Sequence, residues 1–130
     1  MKKDTEEISF LTLDKISAYN KSFQFSNEVW EVVLKWEFFA KDTVGKQLVR
    51  SADSVSANIA EGFGRYGKKD KIRFYRIGLG SLEEAKDWIY KSSVRNLISE
   101  QVRLKMIETI SEVRKEIFFL IKYTNEKLKF

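Results

Sequence analysis

Any chemistry in this chain must run on carboxylates, lysine, serine or tyrosine, because its 130 residues include no His, no Cys and no Pro. A Ser-His-Asp triad, a cysteine nucleophile, a zinc finger and an imidazole base are thereby excluded. Glu61, Glu83 and Glu84 fall on two neighbouring helical segments. Di-metal helical bundles also draw on Glu-x-x-His pairs, so ion pairing with Arg50, Arg73 or Arg76 is the simpler role for these acids. Neither a catalytic residue nor a metal or organic cofactor is expected.

Charge is the chemistry that remains. Lys and Arg number 24 against 19 Asp and Glu, a net charge of +5. Residues 65–76, RYGKKDKIRFYR, hold six bases and one acid, which accounts for the whole excess. Lys68 and Lys69 stand where a helix should begin, among unpaired N–H groups and the positive end of the dipole, an arrangement that suits a phosphate. Tyr66 is placed to stack on an unpaired base, and Arg65, Lys71, Arg73 and Arg76 complete a candidate nucleic-acid face. Phe74 and Tyr75 read as core. The alternative is a solvated basic turn partly compensated by Asp70. Reversing Lys68, Lys69 and Lys71 is expected to abolish nucleic-acid binding and leave the fold intact. Gly62-Phe63-Gly64-Arg65-Tyr66-Gly67 matches G-x-G-x-x-G, but the dinucleotide use of that string needs a strand before it. Here it reads as a helix-ending turn whose glycines make left-handed conformations cheap.

The elements that position these residues read as all-helical, with 3.6-residue periodicity throughout. The first helix is expected over about 17–39, with Ser17 as N-cap and Tyr19, Phe23, Trp30 and Val33 as its stripe. A turn at Lys41–Thr43 leads to the second, about 44–63, on Val44, Leu48, Ala52, Val55, Ile59 and Phe63. The third spans about 68–94 on Ile72, Tyr75, Leu79, Leu82 and Ile89. The fourth spans about 99–127 on Val102, Met106, Ile110, Val113, Ile117, Leu120 and Thr124. Short connections imply one antiparallel up-and-down four-helix-bundle domain over residues 1–130, with residues 1–14 a loose arm. WEVVLKWEFF is apolar on opposite sides of its helix and IFFLIKY around the whole circumference, more than a monomer needs, so a homo-oligomer is expected over the alternative of half-exposed aromatics. Gly78 and Gly80 imply close approach to the second helix on one side and to a further helix on the other. The polar stripe Ser51, Ser54, Asn58, Glu61 and Arg65 is suited to hydrogen bonding across a helix or a subunit interface. No stretch reaches the roughly 18 apolar residues of a membrane span, and no secretory signal is evident. A cytoplasmic protein without membrane contact is expected.

Residues Gln47–Ala85 carry Gln47-Leu48, Arg50, Ser54, Asn58-Ile59-Ala60-Glu61-Gly62, Arg73-Phe74 and Gly80-Ser81-Leu82-Glu83. In these motifs the chain resembles the bacterial 23S rRNA intervening-sequence proteins. Gly45 stands where that family usually has a capping Ser or Thr, so Asp42 or Thr43 is left to cap the second helix. The resemblance implies an up-and-down bundle and assembly into a homopentamer. Arg50, Ser54, Asn58, Glu61, Gly62, Gly78, Gly80 and Ser81 are expected to take structural or interface roles. The resemblance also implies similarity to the accessory protein of diversity-generating retroelements, with nucleic acid and a reverse transcriptase as possible partners.

Overall fold

The computed structural model describes residues 12–129, which form four long helices and no strand. A 3₁₀ turn, Leu13–Lys15, leads into α1 (Ser17–Leu34). A helical turn, Phe38–Ala40, and a π turn, Lys41–Gly45, then precede α2 (Lys46–Phe63). α3 covers Lys68–Val94 and α4 covers Glu100–Lys127. Of the expected arm, residues 1–11 lie outside the described residues.

These helices form a bundle because each carries one continuous apolar stripe. Leu48, Ala52, Val55 and Ile59 of α2, Leu82, Ala85 and Ile89 of α3, and Val113 and Ile117 of α4 are fully buried. α1 packs on α2 and α4, and α3 packs on the same two helices. The α2–α3 contact is close because Gly78 lacks a side chain: a Cβ there would sit 3.4 Å from the Val55 carbonyl oxygen. The close approach expected at Gly78 is therefore present. Gly80 has nothing within 4 Å of its Cβ position, so no second helix meets it among the described residues.

α1 departs from expectation in both phase and length. Its buried stripe is Ala18, Ser22, Phe25, Val29 and Val33, while Phe23 and Trp30 remain half exposed. The helix ends at Leu34 and the chain is non-helical over 35–37, with Glu37 extended at φ −66°, ψ 158°. Lys41–Thr43 is not the connection between helices; it is itself helical, part of the π-helical segment Lys41–Gly45. An apolar run on opposite faces of a helix gives no single phase from which to read the true stripe. Ser17 is the first helical residue rather than the cap, a position held by Ile16. Neither candidate caps α2: Thr43 Oγ1 donates to the Phe39 carbonyl at 2.7 Å, and Asp42 pairs with Lys46. Gly45 serves close packing instead, since a Cβ there would fall 2.7 Å from Val33 Cγ1.

The glycine cluster is a second correction. No glycine among the described residues has positive φ; Asn96 does, at 59°. There Leu97 N–H donates to the Ser92 carbonyl at 2.8 Å and Asn96 N–H to that of Ser93 at 3.1 Å, the paired bonds of a Schellman ending.

Candidate nucleic-acid interface

The basic run divides according to helical phase. The buried stripe of α3 is Tyr75, Gly78, Leu82, Ala85 and Ile89, and extending it backward by four and three residues lands on Lys71 and Lys68. Both turn their ammonium groups onto helix ends. Lys68 Nζ donates to the carbonyls of Asn125 and Leu128, at 3.1 and 3.2 Å, at the end of α4. Lys71 Nζ donates to the Phe63 carbonyl at 2.6 Å, the last residue of α2, and lies 5.4 Å from that residue's ring centroid. Burial holds the Lys71 ammonium below the usual lysine range. The lysine charges thus meet carbonyl groups left over at helix C-termini. Charge reversal at these two positions would strike the fold, contrary to the expectation that a reversed triple variant stays intact.

The outward residues are different. Lys69, Arg73 and Arg76, spaced by four and three, share the exposed stripe of α3. Arg73 donates through Nε and Nη2 to Asp70 Oδ1, at 3.1 and 2.9 Å. Arg65 pairs with Asp70 Oδ2 through Nε at 3.6 Å and with Glu61 through Nη2 at 3.1 Å. Both guanidinium carbons lie 4.6 Å from the centroid of the Phe74 ring. Phe74, expected as core, is half-buried and serves as the floor on which two arginines rest. Among the described residues Lys69 and Arg76 have no ion pair, and Tyr66 is 85% exposed.

Behind this surface the polar stripe of α2 is used within the subunit. Ser81 and Ser54 hydroxyls meet at 3.1 Å across α3 and α2. Asn58 Nδ2 donates to the Ser54 carbonyl and hydroxyl, at 2.8 and 3.0 Å, and buried Ser51 donates to the Leu48 carbonyl. A Cβ at Gly62 would fall 2.7 Å from the Tyr75 ring and 2.9 Å from the Lys71 carbonyl oxygen, so a side chain there would push α3 away. Desolvation pushes the Tyr75 phenol up to about 12. Arg50 is exposed and lines an open groove between α1 and α2 with Trp30, Leu34 and Val49.

The acids take partners other than those expected. Glu61 pairs with Arg65, Glu83 with Arg114, and Glu84 accepts from the Trp88 indole N–H at 3.3 Å. Among the described residues no three carboxylates converge as a metal would require. Sequence reasoning missed an apolar cavity of about 450 Å³ beside the turn, lined by Ile16, Phe63, Tyr75, Leu120 and Tyr123. It forms from four different segments, so no local pattern announces it.

What this geometry can do is present cations and planar groups to an anion. No helix among the described residues is long and apolar enough to cross a membrane. No curated protein matches the sequence. A solved protein of unknown function from the S23 ribosomal protein family of Bacteroides thetaiotaomicron has the same fold, with a TM-score of 0.72 and 22% identity, covering 81% of this chain and 95% of that one. The description "23S rRNA-intervening sequence protein" matches residues 14–118. With that match over most of its length, the chain belongs to the 23S rRNA-intervening sequence protein family.

Proposed function

We propose that this protein is a non-enzymatic, cytoplasmic, homo-oligomeric nucleic-acid-binding bundle whose contact surface is the outer face of the α2–α3 turn. The observation that carries the reading is the exposed group of Arg65, Tyr66, Lys69, Arg73 and Arg76, with two guanidiniums already spread on an aromatic ring. Cations of this kind neutralise phosphates, and the planar groups suit unpaired bases. Lys68 and Lys71 contribute to the field of the site but hold helix ends together. The helices run antiparallel in up-and-down order, supported by their short connections and by Lys68 reaching Leu128. Half-exposed Phe23, Trp30 and Leu34 on α1, and exposed Phe118 on α4, support assembly; five subunits is the number the family resemblance implies.

Reversing Lys69, Arg73 and Arg76 to Glu tests the reading. Three reversals move each subunit from +5 to −1. Wild-type affinity should fall with salt at a log–log slope of about −2 for single strands if three phosphates are engaged. The variant should lose binding while keeping its helicity and mass by light scattering. Unchanged affinity in a folded variant would remove the surface from consideration. A second reading, an adaptor that docks a protein such as a reverse transcriptase, is favoured by Phe38 and Phe39, each 78% exposed. Stoichiometric capture of a purified reverse transcriptase without nucleic acid would support it.

A further inference from the structure

Within the basic turn one acid occupies an unusual place. Asp70 puts a different oxygen on each of two arginines: Oδ1 takes Arg73, at 2.9 and 3.1 Å, and Oδ2 takes Arg65, at 3.6 Å. A backbone phosphodiester has the same recognition features, one negative charge shared by two oxygens, and guanidinium forks match that geometry. The arginines do not depend on Asp70 alone for their position. Phe74 holds both guanidiniums 4.6 Å from its ring centroid, and Glu61 holds Arg65 from the other side. All three charged side chains are 40–60% exposed, so a polymer can reach them. Ion pairs this exposed contribute little to stability and exchange easily.

We propose that the Asp70 carboxylate holds the place of a phosphodiester between Arg65 and Arg73, and that binding exchanges this internal anion for a backbone phosphate. For the identity of its ligand the inference rests on the nucleic-acid reading. In the free protein Asp70 and Glu61 neutralise the two arginines, leaving Lys69 and Arg76 as first-encounter charges. A strand held by those two then displaces Asp70 into water and inherits a preformed clamp. This keeps the two clamp arginines neutralised until a strand arrives and reserves the strongest contacts for a chain of phosphates.

The test is Asp70→Asn in the full protein, with Glu61→Gln and Asp87→Asn beside it. Each change removes one negative charge, but Asp87 pairs with Lys91 farther along α3. The probe is a fluorescein-labelled single-stranded RNA oligonucleotide. Asp70→Asn should tighten binding about three- to tenfold with the salt slope nearly unchanged, because both proteins engage the same phosphates. Glu61→Gln should give a smaller gain, and Asp87→Asn less than about twofold. Equal gains from Asp70→Asn and Asp87→Asn would reduce the effect to net charge and overturn the proposal. Weaker binding by a folded Asp70→Asn would overturn it too, making Asp70 a positioning residue for the arginines. A measurement on the wild type stands if the variant does not fold: oligonucleotide should shift the Nε–H resonances of Arg65 and Arg73, and unmoved resonances at saturation refute the clamp. Diethyl phosphate separates the two ideas. If no RNA binds, yet diethyl phosphate shifts those resonances more in Asp70→Asn than in wild type, the clamp stands and the nucleic-acid reading falls; no shift in either protein refutes the clamp.

Discussion

The two connections flanking α3 end one helix and start the next by different means. After α3 the backbone does the work: Asn96 adopts φ 59°, two Schellman bonds close the helix, and Ser99 Oγ accepts from Val102 N–H at 3.1 Å to cap α4. In the connection before α3 no residue has positive φ. Gly64 and Arg65 N–H groups bond back to Ala60 and Gly62, both at 3.1 Å, and lysine side chains take the Phe63 carbonyl of α2 and those of Asn125 and Leu128 at the end of α4. Where the backbone leaves carbonyls to ammonium groups, cations accumulate for structural reasons. A basic turn is thus partly the fold's own requirement, and only its outward residues are surplus for a ligand.

The sharpest way to break this contrast is at the glycines. Gly62→Ala drives a methyl into Tyr75 and the Lys71 carbonyl and should destabilise by about 2–3 kcal/mol. Gly67→Ala, with nothing within 4 Å and φ −87°, should stay within about 0.5 kcal/mol of wild type. Urea denaturation compares them, and similar midpoints would mean that the turn is not closely packed.

Alkaline titration probes the same packing. The folded Tyr75 phenol is raised from 10.0 to about 12, so above pH 10 the unfolded chain loses this proton before the folded one does. Stability should be intact below pH 10 and fall by about 2 kcal/mol as pH rises toward 12. Lys71, lowered by burial, acts with the opposite sign up to its unfolded value of 10.5. Tyr75→Phe should remove the fall; an unchanged profile would place its source elsewhere.

Lys71→Met leaves the Phe63 carbonyl without its donor and should cost about 1–2 kcal/mol, whereas Lys69→Met should cost less than about 0.5. Equal thermal shifts for the pair would erase the division between inward and outward bases. On the other connection, Asn96→Ala should cost about 0.5–1 kcal/mol and Asn96→Gly nothing, since only the alanine resists positive φ. A tolerated alanine would show that the left-handed residue is not what ends α3.

The ends of α2 and α3 and the stripes of α2, α3 and α4 were legible because each helix has one apolar phase bounded by glycines or polar residues. α1 was misphased because Phe23 and Phe25, or Val29 and Trp30, serve equally well as apolar markers. The segregation of Lys68 and Lys71 was also legible in principle, since both continue the stripe through Tyr75 and Leu82. Counting charge without phase hid it. The shared hold of Asp70 and Phe74 on two arginines was not legible, because it depends on how the turn folds Arg65 back over α3.

The Lys68 bond to Leu128 spans 60 residues of sequence, which gives the turn a history during synthesis. All residues of α2 and α3, including those of the Arg65–Glu61 and Lys71–Phe63 contacts, have been made once residue 94 is added. Lys68 must wait for the far end of α4. In that interval Lys68 lacks the carbonyl partners of the finished protein, so the nascent chain carries one more unanchored cation there. Closure by α4 therefore withdraws a charge from the turn as the bundle is sealed.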